Sequence, residues 1–586
     1  MVVVVWCCLP NTVQPGDAGE FSTVMLAGGV PHPSGYPWIR ALGWVGTGLM
    51  NAGLPPALAA AIPCASFALL GIFLLARLSG GRGTDTPLDG PSLLGASLFA
   101  LSPLAVRHLY DAEVWGPHLA LCMVAVLACQ ARRAPLVIGL ALGLAVSNHL
   151  TAVLLVPLAV GAAWPRRGSP RALLRAGGLG VLGSALGLLP LATLAIGGGG
   201  AWRWGDTQSI QGLFAHVTRQ DFGTFQMSIQ AGATPDAWPR LARALSSLGD
   251  QLTVGLVTWP PLVAAGLLAL AAWWWRQTEV HRATAAGWLA TLALTSVAFP
   301  LAQNVDPSTP MGRWICERFD LLPLALWIPL VVSAARRAVR RAPTPRLRRW
   351  VLAAMIAAVA AQALRSWPER PRRLQGTQAY AVDLLAAPGA PAIVFGTDDH
   401  RTFPVLFATE VLSPDTETLY IDAALLYHGW YRDHILRRWS ALPLQDQPLR
   451  TMSAIWADPE LRDTPIYLAN IFSEPASRLQ LIPEGHLWRV VPPHAPPDFT
   501  HPEQVASRHL AASRRMTATR ADFVGAVDPE TDPFGAILWR TYAAAAKGLS
   551  RNFRTMGVPE LAAQVENDAR GRGVLSLSDA PVEAAP

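Results

Sequence analysis

Residues 132–167 read RRAPLVIGLALGLAVSNHLTAVLLVPLAVGAAWPRR. Paired arginines stand at both ends, Arg132/Arg133 and Arg166/Arg167, and the apolar run between them is interrupted at Asn148-His149. Lys and Arg collect in the cytoplasmic loops of membrane proteins, so both ends belong on the inner side. The stretch is therefore a membrane hairpin with Asn148-His149 at its polar apex. The rest of the chain agrees with a bilayer as solvent: 51% of residues are hydrophobic, 15% are charged and the mean hydropathy is +0.29. Charge is sparse before Arg365 and dense after it, which divides the chain between two solvents.

Further apolar runs at 56–76, 93–109, 114–131, 177–197, 254–275, 284–300, 318–334 and 350–365 are candidate spans, with 136–148 and 150–163 forming the hairpin. Several fall short of the ~20 residues that cross a hydrocarbon core. Basic clusters assign 77–92, 132–135, 164–176, 276–283 and 335–349 to the cytoplasm. The outer side then receives 10–55, 107–113, 198–253, 301–317 and everything after 365. Met1–Leu9 is apolar but would extend only about 13 Å as a helix, and it lacks the basic start and cleavage site of a signal peptide. It reads as the remainder of a truncated first span, giving about eleven in all. The net charge of +7 comes from arginines between apolar runs, which argues against a nucleic-acid role. None of the six cysteines lies in the tail, so there is neither a disulfide framework nor a zinc-ligand spacing.

The expected fold class is a polytopic α-helical membrane domain (1–365), followed by an outward α/β domain (366–495), a helical segment (496–575) and a disordered tail (576–586). In the α/β part, β-rich runs at Ala392–Gly396, Thr418–Ile421, Thr464–Leu468 and Leu479–Val491 alternate with helical patterns at Phe403–Leu412 and Trp430–Trp439.

Polar residues of the outward loops carry the candidate chemistry. Asp17-x-x-Glu20 before an apolar run is a capping-box pattern; equally, Asp17 is placed to be a general base at the membrane boundary. Pro31 to Pro37 reads as a stiff turn, with His32 a possible phosphate or acceptor contact. Arg107, Asp111 and Glu113 form an interfacial belt or, if the loops meet, part of an acidic cluster. Asn148 and His149 are polar at membrane depth, where the default is function or a buried pairing. Arg318 reads as a lipid-phosphate anchor, a snorkelling residue or an ion-pair partner of Glu317. Asp398-Asp399-His400 suggests a solvated loop after a strand before it suggests a cation site. No metal triad, phosphate-binding glycine loop or nucleophile elbow is present.

Taken in order, GDAGEF (16–21), GVPHPSGYPW (29–38), ALSPLAVRHLYDAEVW (100–115), GLALGLAVSNHLT (139–151), WGDTQSIQGLFAHVTRQDFGTF (204–225), ERFDLLP (317–323) and the tail segment 380–431 resemble the signatures of a bacterial membrane family. That family is related to the animal O-mannosyltransferase acting on plexin and receptor IPT domains, within the GT-C superfamily. The resemblance implies a multi-span glycosyltransferase of the bacterial inner membrane. Its donor would be a polyprenyl-phosphate sugar, with mannose the expected hexose, and its acceptor a hydroxyl of an extracytoplasmic protein. It implies Asp17 as base, Glu20 and His32 in the same site with Tyr36, Glu113 as the second-loop acid, and Arg318 on the carrier phosphate. Trp204, Asp206, His216 and Arg219 would belong to the acceptor-side loop. Asp221-Phe222 stands where an aromatic-rich pair is usual. An Arg can replace a metal beside a lipid monophosphate, although the sequence leaves a divalent ion open. The rival readings are a transferase acting on a lipid or envelope glycan, and a transporter or scaffold. Transporters show broken helices and midplane charges in two related halves, whereas the ionisable residues here gather at the outer boundary.

Overall fold

The computed structural model describes residues 2–80, 88–164, 169–196, 200–223, 279–303, 305, 309–371, 374–471, 479–493, 500–529 and 531–575. The expected span 254–275, most of the 198–253 loop and the tail 576–586 lie outside them.

The membrane part is built from helices α1 (Val2–Cys8), α2 (Ala18–Ala27), α3 (Pro37–Asn51), α4 (Pro56–Ser79), α5 (Gly90–Ala100), α6 (Pro103–His108), α7 (Trp115–Gln130), α8 (Pro135–Asn148), α9 (Val156–Ala163) and α10 (Pro170–Gly187). After α11 (Ile210–Val217) come α12 (Glu279–Ala293), α13 (Pro310–Glu317), α14 (Leu321–Arg341) and α15 (Pro345–Ser366). Four segments among the described residues are long and apolar enough to cross a membrane: Pro56–Ser79, Pro170–Ala195, Arg282–Ala302 and Pro345–Glu369. The chain is a multi-pass membrane protein. The expected span 93–109 is not one helix. The Ser102 side chain caps α6 by accepting from Ala105 N at 3.1 Å, and Pro103, which has no N–H to donate, starts the new helix.

The opening stretch folds back on itself. Helix α8 ends at Asn148, His149 adopts extended backbone angles, and a 3₁₀ turn over Leu150–Leu155 leads into α9. At the other end the Arg132 guanidinium donates to Trp164 O at 3.0 Å, so the two basic ends are neighbours. Glycines let the surrounding helices approach closely, because small residues leave room for helix backbones, and their contacts show the relative directions. A Cβ on Gly183 would stand 2.1 Å from Leu136 O and one on Gly187 would stand 2.4 Å from Leu140 O, so α8 and α10 run parallel. Gly116 against Cys64 and Gly71 against Leu119 make α4 and α7 parallel. Gly161 against Ala283 and Gly287 against Pro157 make α9 and α12 antiparallel. Gly95 against Val332, with Arg336 donating to Asp89 at 2.7 Å, does the same for α5 and α14. These four relative directions are the ones the charge alternation requires.

The tail carries a five-stranded sheet ordered β4-β3-β5-β7-β6: β3 (Ala392–Gly396), β4 (Thr418–Asp422), β5 (Ile466–Leu468), β6 (Leu481–Glu484) and β7 (Leu487–Val490). β3 pairs in parallel with β4 and β5, while β7 is antiparallel to β5 and β6. Its helices are α16 (Gly376–Ala386), α17 (Asp399–Phe407), α18 (Gly429–Leu436), α19 (Pro448–Ala457), α20 (Pro502–Arg515), α21 (Pro533–Thr555) and α22 (Pro559–Gly571). The segment expected to be separate from 496 shares one core with the sheet: Leu538, Trp539, Leu549 and Val565 pack with Tyr380 and Val394. Asp383, fully buried on α16, fastens it by accepting from Thr517 N, Ala518 N and the Tyr542 hydroxyl at 2.6, 3.1 and 3.0 Å. The tail also joins the membrane part, because Val24, Trp202 and Trp204 lie in the same core as Phe395 and Phe403.

Substituting Gly183 by Ala should therefore lower the melting temperature in detergent, at a cost of about 1–3 kcal/mol. Gly177→Ala, where a Cβ meets nothing within 4 Å, should leave it unchanged or raise it by up to about 1 kcal/mol of helix propensity.

Candidate active site

The first loop reaches the site because two short strands hold it. β1 (Gly29–Val30) pairs in parallel with β2 (Trp202–Arg203), bringing the large loop onto the first one. Trp202 then donates its indole N–H to Glu20 Oε1 at 2.8 Å. The same carboxylate accepts from the His32 backbone N–H at 2.9 Å and meets His32 Nδ1 through Oε2 at 2.5 Å. Glu20 is fully buried and joins two loops; it caps nothing. The capping-box pattern is thus not used: Asp17 precedes α2 without a side-chain capping bond.

Asp17 instead faces Arg318, whose Nη1 donates to Oδ2 at 3.1 Å across 301 residues of sequence. The two side chains are 19% and 15% exposed, so the pair is partly accessible rather than sealed in the core. The Arg318 guanidinium is ringed by Trp314, Trp115 and Phe319 at 5.5, 5.9 and 6.0 Å from their centroids, an arrangement that favours a cation. Its Nε has no hydrogen-bond partner among the described residues. Burial alone would raise the pKa of Asp17; Arg318, His32 and Arg219 more than offset it and hold the carboxyl below its usual range. Burial likewise opposes a charge on His32, but Glu20 in contact and Asp17 nearby raise its pKa above the ordinary histidine value.

The second loop supplies two buried acids, Asp111 and Glu113, 4% and 3% exposed. Asp111 Oδ1 and both Glu113 carboxylate oxygens lack partners among the described residues. Burial, opposed by Arg318 and reinforced by Asp17, pushes Asp111 up to about 8. Burial with Asp17 and Asp111 carries Glu113 well above its ordinary value. Tyr36 holds its hydroxyl 3.3 Å from His32 Nε2 and stacks 6.0 Å from His149. His149 also packs 4.9 Å from Trp115, and Asn148 donates to Val114 O at 3.2 Å. The hairpin apex thereby braces the second loop.

Of the large-loop residues, three converge. Trp204 lies 6.2 Å from the His32 ring, and Arg219 donates to Pro33 O at 3.3 Å. His216 is buried against Gly35, where φ is +95° and a Cβ would approach the imidazole at 3.1 Å. Asp206 does not join them. It is exposed and braces its own turn, accepting from Ser209 Oγ at 2.9 Å. Arg107 stands aside too, pairing with Glu369 at 2.8 Å and with Glu317, which His108 also contacts at 2.9 Å. Glu317 is therefore not the partner of Arg318. Among the described residues no group of three or more His, Cys, Asp and Glu side chains is arranged to hold a metal ion.

One contribution escaped the sequence reading. Asp398-Asp399-His400 is not a solvated loop: it opens α17, which packs on α2. A Cβ on Gly19 would lie 2.5 Å from Phe403 C and O, and Phe403 stacks 6.3 Å from His32. Asp399, one turn earlier on α17, is open to solvent yet walled in by protein. That enclosure, Asp17 and Asp422 together push it up to about 7. The i, i+4 spacing of Asp399 and Phe403 was visible; what the helix packs against was not.

A partly accessible acid, paired with a ring-enclosed arginine, invites comparison with known proteins. The chain is related to a protein O-mannosyl-transferase. It is 25% identical over 467 residues to mouse (Mus musculus) protein O-mannosyl-transferase TMEM260, covering 73% of this chain and 62% of that protein. The chain thus spans less than two thirds of its relative's length. No family model matches it. Two crystal structures of ArnT from Cupriavidus metallidurans are similar at low identity. The apo structure gives 13% identity and a TM-score of 0.43, covering 83% of this chain and 95% of that one. The structure bound to undecaprenyl phosphate gives 14% identity and a TM-score of 0.41, covering 85% and 98%.

The raised Asp111 has a consequence for stability. Its folded pKa lies near 8 against about 4 unfolded, so its contribution is complete below about pH 4 and is lost as pH rises toward 8. Melting curves from pH 5 to pH 9 should fall in the wild type and fall less steeply in Asp111→Asn.

Proposed function

We propose that this protein is a GT-C-type glycosyltransferase that moves a hexose, mannose by expectation, from a polyprenyl-phosphate carrier to a protein hydroxyl on the outer face of the membrane. The observation that carries the reading is the partly accessible Asp17–Arg318 pair at 3.1 Å. The similarity to TMEM260 supports it.

In this reading the donor phosphate takes over Arg318, whose planar fork suits a phosphate and whose Nε has no partner among the described residues. Losing its counter-charge, Asp17 becomes free to accept the proton of the acceptor hydroxyl as that oxygen attacks the anomeric carbon. The carbon–oxygen bond to phosphate breaks with inversion, and the lipid phosphate leaves held by Arg318. Glu113, whose pKa burial and the nearby Asp17 and Asp111 raise, carries less of a charge penalty against the anionic donor than an ordinary carboxylate would. Glu20 acts through His32 and Trp202, as a positioning residue rather than a second base. Arg107 and Asp206 hold loops, while Trp204, His216 and Arg219 shape the acceptor side. The acidic loops and the tail share one face because α2 and α17 pack together, and the charge alternation supports assigning that face to the outside.

Purified protein supplied with polyprenyl-phosphate [³H]hexoses and extracytoplasmic proteins should label protein with one of them. Asp17→Asn should lower kcat by about 10²–10⁴ while the donor KM falls or stays the same, whereas Arg318→Gln should raise the donor KM. Equal labelling by wild type and Asp17→Asn would refute the assignment.

A further inference from the structure

A cavity whose lining includes Trp202 but neither Asp17 nor Arg318 lies in the C-terminal domain and the large loop. It measures about 380 Å³ and is lined by residues of α17, the turn after it, β4, α18 and the loop before β2. That volume is in the range of small-molecule sites. Its aromatic lining comes from Trp202, Tyr420, Tyr431 and Trp439. At its polar side Glu410 and Arg438 face each other at 3.7 Å. Glu410 sits in a five-residue π-helical turn, Ala408–Leu412, that extends α17; such turns occur frequently at functional sites.

We propose that this cavity is a saccharide-binding site for a neutral glycan of one or two pyranose rings. A pyranose has apolar faces that lie on aromatic rings and a rim of hydroxyls that both donate and accept. The Glu410–Arg438 pair offers an acceptor beside a donor, which matches two adjacent hydroxyls. A purely apolar ligand would strip water from Glu410, Arg437 and Arg438 without replacing it. The occupant would be sensed at the reaction site: Trp202, part of the lining, donates to Glu20, and Glu20 holds His32. A glycan already attached to an acceptor, docked here, would steady those two loops without touching Asp17.

The test is saturation-transfer NMR on the full chain in lipid nanodiscs, with maltose and α-1,2-mannobiose as probes. At least one disaccharide should receive saturation from wild type and equally from Asp17→Asn. Trp439→Ala and Glu410→Gln should weaken that binding at least tenfold. Melting temperatures confirm folding, and the isosteric Glu410→Gln keeps the test decisive if Trp439→Ala is unstable. Three results would overturn the proposal: no transfer to either probe, a signal that Asp17→Asn abolishes while Trp439→Ala leaves it intact, or tighter binding in Glu410→Gln.

Discussion

The arrangement depends on one ion pair. Asp17 and Arg318 come from loops 301 residues apart, and among the described residues each is the other's one ion-pair partner. Both are mostly enclosed, and an enclosed charge that loses its partner is far more costly than an exposed one. Fixing this pair fixes the end of α2 against the start of α14, and with them the helices that each contacts. The aromatic ring around Arg318 and the raised pKa values of Asp111 and Glu113 follow from the same enclosure, in which burial and the neighbouring carboxylates disfavour further negative charge.

Glu20 is the second constraint. Its carboxylate serves the His32 backbone, the His32 ring and the Trp202 indole together, joining the first loop to the large loop. The C-terminal domain closes the assembly from above, with Phe403 seated over Gly19 and beside His32. That domain is thereby part of the site's wall. The sheet positions α17, and the buried Asp383 fastens the terminal segment to α16.

Much of this was legible in advance for physical reasons. Paired arginines flanking 135–164 announced a hairpin, and the bond from Arg132 to Trp164 O closes it. Strands at 392–396 and 418–422 followed from β-branched runs between turn residues, and Asp17, Glu113 and Arg318 stood out as charges at span mouths. What was hidden was partner choice. Asp17-x-x-Glu20 is a capping pattern by spacing, yet tertiary contacts claimed both carboxylates. Glu317 neighbours Arg318 in sequence, yet it turns to Arg107 and His108 because successive residues on a helix do not face each other. Asp399 looked like loop because nothing local says that its helix will be buried against α2. The break at Ser102-Pro103 was written in the sequence but subordinated to the apolar run around it.

The account's central claim is that Arg318 exchanges Asp17 for a lipid phosphate. Its most direct measurement is the affinity of sugar-free polyprenyl phosphate, read by native mass spectrometry of the protein in detergent. Asp17→Asn, which leaves Arg318 without its competitor, should bind the lipid more tightly than wild type, and Arg318→Gln should bind it at least tenfold more weakly. Unchanged affinity in both variants would place the phosphate elsewhere and contradict the account.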